Sequence, residues 1–483
     1  MKTIIRIFLL FWLSLNAAAQ TPKHEVRAVW LTTIGGIDWP RSYSATQQRQ
    51  DLCDILDQLR QANINTVMFQ ARVRATTVFP CADEPWDICM TGNAGQSPGY
   101  DALQFCIEEC HKRGMQCHAW IVTIPVGKWK TNGCRQIRKK YPKLIRKIGD
   151  EGYMNPEMPQ TGDYLARFCA EVTRRYDVDG IHLDYIRYPE TWKLKVSRDQ
   201  GRQYITDIVT KINHAVKAVK PWVMLSCSPI GKFDDLNRYR SAGWNAYTTV
   251  CQDAQGWLRN GLMDALFPMM YFQGNNFYPF AVDWKQHSYG RIVAPGLAVY
   301  MLHPRERDWP LETVTREMNV LRDLGLGCAF FRSKFFTDNT KGVYTFTQDF
   351  NAYPALIPPM TWAGRRAPLP SSSINLHRGV SYDFLSWTAA RDLSGGDYLL
   401  YNIYASEEYP VDVNDARNLV ATRCRQLSLN IPHKGRILHY AVTATDRYGN
   451  ESMPQATIGT NVRKPKTIDF RKLIMGESLK KYK

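Results

Sequence analysis

The sequence predicts a (β/α)8 barrel, a TIM barrel, followed by a small all-β sandwich. Short apolar, β-rich runs alternate with longer amphipathic helical patterns from residue 26 to about 336. Eight such runs can be counted, which favours a closed barrel. After Asn351 prolines interrupt the chain, and short alternating strands replace the helical pattern. The 483 residues are therefore expected to form one large domain and one smaller one.

The eight predicted strands are Val26–Thr33, Asn65–Arg72, Gln116–Thr123, Gly180–Tyr185, Val223–Ser228, Ala265–Phe272, Arg291–Tyr300 and Gly327–Phe335. Between them, Leu52, Ile55, Leu56 and Leu59 fall on one helical face. Gly114 and Gly325 are placed as helix C-terminal caps. The alternative is an open doubly wound sheet. The first strand, however, is followed by 32–36, which lacks the G-x-G-x-x-G turn that would hold a dinucleotide in such a sheet.

The two termini and the region between the domains differ in composition from the barrel and the sandwich. Residues 1–19 combine Lys2 and Arg6 with an apolar run and three alanines, as in a cleavable signal peptide, so the mature chain is expected to begin at Gln20. The barrel is expected to span 20–355, a Pro-rich linker 356–370, the sandwich 371–463 and a basic tail 464–483. The apolar run is too short for a transmembrane segment, and no cysteine precedes Cys53 to carry a lipid. A periplasmic or secreted protein is expected.

Cysteine content and charge limit the classes of function. Twelve cysteines in 483 residues are too few for a disulfide scaffold, and most are expected to pack in the core. Cys81 and Cys89, in a loop, are the pair most expected to form a disulfide. No C-x2-C spacing predicts a metal site, and no cofactor motif is found. The formal charge of +17 would suit an acidic polymer. Nucleic acid is not expected as a partner, because no nucleic-acid motif accompanies the charge.

The active site of such a barrel lies at the C-terminal ends of its strands. In the fourth strand, His182 and Asp184 share one face. The same alternation puts Gln70 and Arg72 on one face of the second strand, and His118 and Trp120 on one face of the third. With Arg72 and Arg187 nearby, the Asp184 carboxylate is expected to stay ionised, because a nearby cation lowers its pKa. The alternatives are a barrel-closing salt bridge for Asp184 and an orienting role for His182.

Several segments together are typical of one family. They are Val26–Thr33 with Asp38–Pro40, Phe69–Arg72, Asp179–Pro189 and Phe267–Phe272. In this order they resemble the glycosyl hydrolase-like 10 family across the whole barrel. The resemblance implies a (β/α)8 glycoside hydrolase fold, and a member of that family hydrolyses peptidoglycan glycan strands stripped of their peptides. In the second domain, Trp387, Tyr401 and Tyr440 resemble the core aromatics of a fibronectin type III domain.

The chain also departs from the family pattern. Tyr185 stands where relatives carry a second Asp after the one that matches Asp184. Residues 268–272 differ from the relatives' Pro-Gln-x-Tyr-Trp, and 120–123 from their Trp-x-Asn-Pro. Substrate contacts are therefore expected to differ from those of the enzyme that acts on peptide-free strands.

Glycoside hydrolysis usually needs two carboxylates. Asp184 is expected to be the nucleophile or stabiliser. Asp253 matches an acidic position of the family pattern, which implies the general acid/base, with Asp38 and Glu190 as the other candidates. Residues expected to contact a polysaccharide or peptidoglycan glycan are Asp38, Trp39, Gln70, Arg72, His118, Trp120, His182, Arg187 and Tyr271.

Two points stay open at this stage. Trp39, Trp120, Trp129, Trp244 and Tyr271 are either platforms for sugar rings or core residues. A non-catalytic glycan-binding barrel is the alternative function, since the family's second acid is missing. A metal-dependent amide or ester hydrolase is less favoured, because the first strand lacks His-x-His.

Overall fold

The computed structural model describes residues 21–457 of the chain. Its strands are β1 Arg27–Leu31, β2 Thr66–Arg72, β3 Gln116–Val122, β4 Pro125–Lys128, β5 Ile145–Ile148, β6 Glu151–Met154, β7 Gly180–Asp184, β8 Met224–Cys227, β9 Ala265–Leu266, β10 Ile292–Val293, β11 Gly296–Leu297, β12 Cys328–Phe330, β13 Ile374–Arg378, β14 Tyr382–Trp387, β15 Leu400–Ser406, β16 Leu419–Cys424, β17 Ser428–Pro432, β18 His439–Thr445 and β19 Gln455–Ala456.

The α-helices follow the barrel strands in the predicted alternation. They are α1 Ala45–Gln61, α2 Ala102–Lys112, α3 Asn132–Lys140, α4 Pro159–Arg175, α5 Arg198–Val219, α6 Ala254–Arg259, α7 Tyr278–Gln286, α8 Leu311–Asp323, α9 Ser333–Thr337 and α10 Val343–Phe350. As expected from the helical pattern, Leu52, Leu56 and Leu59 are buried. Gly114 and Gly325 both take positive φ just after helices, which confirms their predicted capping role.

One parallel sheet in the order β10-β9-β8-β7-β3-β2-β1-β12-β11 forms the barrel. It closes because β10 and β11 are two halves of the same seventh strand. β10 pairs with β9 and β11 pairs with β12. Between the halves, the Ala294 N–H donates to the Leu266 carbonyl at 2.9 Å, and the Pro295 carbonyl accepts from Ala329 N–H at 3.0 Å. The predicted (β/α)8 fold is therefore confirmed.

The last three strands of the barrel are shorter than the apolar runs in the sequence predicted. The sixth strand stops at Leu266 rather than Phe272, and the seventh is interrupted at Ala294 and Pro295. The eighth ends at Phe330, after which Ser333 begins α9. Proline lacks an N–H for the ladder, which explains the interruption of the seventh strand.

An excursion that the sequence analysis did not predict follows the third barrel strand. We call residues 125–154 the insert. In it, β6 lies between β4 and β5 in a three-stranded antiparallel sheet, and α3 connects β4 to β5. Because the insert leaves the barrel after the end of β3, it lies at the C-terminal face of the barrel, where active sites of this fold are found.

The second domain has two facing antiparallel sheets. One has the order β13-β14-β17 and the other β16-β15-β18-β19. Trp387 from the first sheet packs against Tyr401 from the second, with ring centroids 5.6 Å apart, and Tyr440 is buried in the same core. These strands form the expected β-sandwich. The finer resemblance to a fibronectin type III domain stays a prediction.

The sandwich contacts the N-terminal ends of the barrel strands. Asp179, just before β7, pairs with Arg423 at 2.5 Å, and Asp177 pairs with Arg447 at 3.1 Å. Burial alone would raise the pKa of Asp179, but Arg423 and His111 hold it well below its usual value. Lys23 and Glu451 form a further ion pair at 2.6 Å. The sandwich is thus fixed to the face of the barrel opposite the expected active site.

The cysteines, the membrane-spanning potential and the two termini were the other subjects of prediction. Cys81 and Cys89 are free thiols, so the predicted disulfide is wrong, and the other described cysteines are free as well. No helix within 21–457 is both long and apolar enough to cross a bilayer. The predicted signal peptide at 1–19 and the basic tail at 464–483 lie outside the described residues.

One buried carboxyl group, in α8, has no partner. Glu317 is fully buried, and neither of its carboxyl oxygens has a hydrogen-bond partner among the described residues. Burial raises its pKa to about 9. A raised pKa favours folding at low pH, and that contribution is lost as the pH rises from the unfolded value of about 4.5 toward 9.

We expect Glu317→Gln to be more stable than the wild type at pH 8 by about 2–4 kcal/mol and nearly equal to it at pH 5. Free energies of unfolding from urea titrations at both pH values would test this. Glu312→Gln, at an exposed position of the same helix, is the control. An equal effect of the Glu317 change at pH 5 and pH 8 would contradict the assignment.

Candidate active site

Asp184, the last residue of β7, lies at the C-terminal mouth of the barrel. Its Oδ1 accepts hydrogen bonds from Ser228 Oγ at 2.9 Å and from the Tyr185 N–H at 2.8 Å. Its Oδ2 accepts from Trp120 Nε1 at 3.2 Å. Trp120 is an inward residue of β3, and Ser228 directly follows β8. Three neighbouring barrel strands therefore converge on one carboxyl group, as the strand alternation predicted for β3 and β7.

Burial dominates the electrostatics of Asp184. Only 8% of the residue is exposed, and this desolvation raises its pKa above the usual value. The Ser228 hydroxyl and the Arg187 cation act in the opposite direction but do not cancel the effect. The net shift in the pKa of Asp184 is therefore upward, not downward as expected. Arg187 does act on Asp184, but the cost of removing the charge from water exceeds its effect.

The backbone at Tyr185 is strained. Tyr185 has φ of 55°, a left-handed conformation that bulky residues rarely adopt. This conformation accompanies the hydrogen bond from its N–H to Asp184. Such outliers persist where surrounding structure enforces them and are frequent at active sites. Tyr185 thus helps to hold the Asp184 carboxyl group through its backbone N–H.

A second polar layer lies beneath Asp184 in the barrel interior. Trp30 Nε1 donates to His182 Nε2 at 3.1 Å, and His182 Nδ1 lies 3.0 Å from Ser226 Oγ. Because an indole N–H can only donate, Nε2 accepts and Nδ1 carries the proton. Burial lowers the pKa of His182 well below its usual value. His182 is therefore a neutral, fully hydrogen-bonded residue that supports the floor of the mouth.

Arg72 makes a buried ion pair away from Asp184. Its guanidinium group binds Glu84 through two nitrogens, at 2.7 and 2.9 Å, and also donates to the Val122 and Thr123 carbonyls. Tyr164 donates its hydroxyl to the same Glu84 at 2.7 Å. Arg72 is fully buried and connects the ends of two strands to a loop and to α4. It was predicted as a neighbour of Asp184 and of the substrate, but its observed contacts are structural.

Three other predicted contact residues also hold loops at the mouth. Gln70 Oε1 accepts from Thr33 N–H at 2.8 Å, and Asp38 accepts from Thr32 N–H at 3.0 Å and pairs with Arg332. Burial raises the pKa of Asp38, although Arg332 opposes this rise. Trp39 is fully buried, donates Nε1 to the Gln48 carbonyl and is a core residue. The structure gives these three side chains partners within the protein.

His118 lies at the opposite end of the barrel interior. It is level with Gly180, the first residue of β7, whereas Asp184 is the last. Burial lowers the pKa of His118 to about 4, and Asp179 and Arg423 at the domain interface are the charges that act on it. The structure therefore does not bring His118 to the mouth with Asp184.

Tyr271, like Trp120, is a predicted aromatic that lies near Asp184. Its ring stacks on Phe331 with centroids 5.4 Å apart and is half-buried. Its pKa is raised by burial first, then by Tyr300 and by the Asp184 carboxylate. Trp120 is buried against Asp184, while Trp129 and Trp244 lie on the surface, half-buried and exposed respectively. Tyr271 is thus the aromatic face best placed to meet a bound ligand beside Asp184.

Two acidic residues remain as candidates for the second carboxylate. Glu190 pairs with Arg187 at 2.9 Å, and its side chain is 35% exposed. The charges of both Glu190 and Asp184 act on Tyr185. Asp253 instead caps α6, where its Oδ1 accepts from Gly256 N–H at 3.1 Å. The structure thus brings Glu190 into the same cluster as Asp184 and gives Asp253 a helix-capping contact.

The sequence analysis missed several residues of the site. Ser226 and Ser228 occupy alternate positions of the fifth predicted strand, so the alternation that selected His182 and Asp184 could have selected them too. Glu84 and Trp30 carried no comparable signal, because Glu84 lies in a loop and Trp30 in an apolar run.

Potential metal ligands cluster elsewhere. Within 21–457, the group with suitable spacing is Cys106, Cys110 and Cys117, whose sulfur atoms lie within 4.8 Å of one another. All three thiols are buried between α2 and β3, in the core. They are not part of the mouth around Asp184.

The chain is similar to two curated proteins that are both named as glycosyl hydrolases. Glycosyl hydrolase YngK of Bacillus subtilis (strain 168) is 29% identical over 481 residues, which cover 90% of this chain and 93% of the relative. Glycosyl hydrolase DigH of Escherichia coli (strain K12) is 30% identical over 296 residues, which cover 53% of this chain and 67% of the relative. Among solved structures, the glycoside hydrolase domain of PgaB (BpsB) from Bordetella bronchiseptica aligns with a TM-score of 0.49 and 13% identity, covering 68% of this chain and 98% of that one.

The pattern of one family covers the barrel. The glycosyl hydrolase-like 10 family matches residues 25–200 and 191–295, which together make up more than half of the chain. The matched region contains β1 to β10, and hence Asp184 and the residues that hydrogen-bond to it. The chain belongs to the glycosyl hydrolase-like 10 family.

Proposed function

We propose that this protein is a glycoside hydrolase that cleaves glycosidic bonds in a polysaccharide, with peptide-free peptidoglycan glycan strands as its substrate. The observation that carries the proposal is the Asp184 carboxyl group, which is desolvated at the C-terminal mouth of the barrel and has a raised pKa. Family membership and the glycosyl hydrolase relatives support the same activity. The predicted signal peptide supports export to the periplasm or exterior.

Asp184 is best suited to be the general acid/base. Hydrolysis of a glycosidic bond needs a proton on the leaving oxygen, and a raised pKa keeps more of a carboxyl group in the protonated form that can donate it. The donors from Ser228, Trp120 and Tyr185 fix the carboxyl group in orientation. This proposed role differs from the sequence-based expectation that Asp184 is the nucleophile or stabiliser.

Glu190 is the proposed second carboxylate. It lies in the loop after β7, is partly exposed and is held by Arg187. A carboxylate in this position can stabilise the positive charge that develops on the sugar ring or orient a water molecule. Tyr271 offers a half-buried ring face beside Asp184, which suits contact with the apolar face of a sugar.

We expect Asp184→Asn to lower hydrolysis at least 100-fold, because general acid–base catalysis typically contributes 10²–10⁴-fold. The asparagine Oδ1 can still accept from Ser228 and the Tyr185 N–H, whereas its amide nitrogen cannot accept from Trp120, so thermal melting would verify that the variant is folded. New reducing ends released from peptide-free peptidoglycan strands and from a panel of other polysaccharides, measured by mass spectrometry, would test this. Retention of a glycan by the wild type without release of fragments would instead indicate a glycan-binding barrel.

We expect Glu190→Gln to lower kcat about 100-fold or more, and Asp253→Asn to leave it within about threefold. Asparagine is as good an N-cap as aspartate, so the second variant keeps α6 capped while it removes the charge. Steady-state kinetics of both variants on the same substrate would separate the candidates. Loss of activity only in Asp253→Asn would restore the sequence-based assignment.

We expect Ser228→Ala to shift the alkaline limb of the pH–activity profile upward. The Ser228 hydroxyl stabilises the charged form of Asp184, so its removal raises the pKa of Asp184 further. A general acid must be protonated, and activity should then persist to higher pH. Profiles of kcat/KM would show the shift, and a downward shift would contradict the general-acid role.

A further inference from the structure

The insert, residues 125–154, concentrates positive charge. It contains nine lysine and arginine residues and only two acidic ones. The cations are Lys128, Lys130, Arg135, Arg138, Lys139, Lys140, Lys143, Arg146 and Lys147, and the acids are Asp150 and Glu151. The insert therefore carries +7 of the formal charge of +17 in 30 residues.

Most of this charge is exposed and unpaired. Within the described part of the chain, six exposed cations of the insert have no carboxylate at salt-bridge distance; they are Lys128, Lys130, Arg135, Lys139, Lys143 and Lys147. Lys140 pairs with Asp83. By contrast, cations elsewhere on the barrel are often neutralised, as Arg113 is by Asp57 and Glu109. The insert thus presents a net positive surface to solvent.

Aromatic side chains hold part of this charge in place. Arg138 lies over the ring of Trp129 at 3.7 Å, and Lys147 lies 5.5 Å from the same ring. Arg146 lies over the ring of Trp192 at 4.5 Å. Cation–π contacts restrain the side chains without neutralising them. These charges are therefore kept available on the surface of the insert.

The insert adjoins the candidate active site. Thr123, two residues before it, donates its N–H and Oγ1 to the backbone carbonyl of Asp184, at 2.9 and 2.8 Å. At its other end, Glu151 lies 3.8 Å from Arg74. Burial raises the pKa of Tyr153, and the charges of Glu151 and Glu190 add to the rise. A polymer bound at Asp184 and leaving the mouth on this side would pass over the insert.

We propose that the insert is a binding surface for the carboxylate groups of an anionic glycan, such as the lactyl groups of peptide-free peptidoglycan strands. The proposal rests on the proposed function, because the location of the insert beside Asp184 is what selects a glycan over other polyanions. Lysine ammonium groups act as mobile point charges, which suits carboxylates repeated along a flexible polymer.

Binding would be measured on the full-length Asp184→Asn protein, so that no substrate is consumed. The test variant is Lys139→Glu/Lys143→Glu/Lys147→Glu, and the control is Arg366→Glu/Arg391→Glu/Lys434→Glu at exposed positions outside the barrel. Both triples change the net charge equally. The ligands are end-labelled peptide-free peptidoglycan strands and, as an uncharged counterpart, chitohexaose. Thermal melting would verify that each variant is folded.

At low salt we expect the insert triple to raise the Kd for the carboxylated strands about tenfold or more, and the control triple to change it less than about twofold. Chitohexaose affinity should be the same for all three proteins. The difference between the triples should disappear near 1 M salt, where the Debye length is about 3 Å.

Equal weakening by both triples, or none by either, would overturn the proposal. Competition by double-stranded DNA as effective as that by the glycan would also overturn it, because the surface would then be a general polyanion site. If glycan binding depends on the insert but the wild type hydrolyses no glycan, the proposed activity is refuted and the insert is supported as a binding surface. Hydrolysis of the glycan by the wild type, with binding that does not depend on the insert, would support the proposed activity and refute this binding surface.

Discussion

The two-residue alternation of side chains along parallel strands is the constraint on which the site depends. In a closed barrel, every second side chain points into the interior, so His182 and Asp184 must both face inward. The same rule brings Trp120 from β3 and Ser228 after β8 to the Asp184 carboxyl group. The polar mouth and the layer beneath it are therefore successive layers of inward-facing side chains. In the lower layer, Trp30 donates a hydrogen bond to the neutral His182.

The chemistry of Asp184 follows from a balance between solvation and hydrogen bonding. Three donors and a neighbouring guanidinium group would favour the charged carboxylate, yet burial outweighs them and raises its pKa. Asp179, at the other end of the same strand, is also buried but contacts Arg423, Arg447 and His111, and its pKa is lowered. Two aspartates five residues apart thus differ because only one has cations in direct contact.

The sequence was a good guide to local geometry and a poor one to contacts that depend on tertiary structure. Period-two alternation identified Asp184 and Trp120 as neighbours because it depends only on strand geometry. It could not predict that Arg72 binds Glu84, since Glu84 lies in a loop whose position is set by packing against α4. Nor could it give the direction of the pKa shift of Asp184, because desolvation depends on side chains from three strands.

The location of the sandwich determines which rim of the barrel a polymer could reach. Its ion pairs with Asp177 and Asp179 fix it to the N-terminal side of the barrel. The second domain therefore does not cover the opposite rim, so the loops of the barrel and the insert alone would limit the access of the proposed polymer to Asp184.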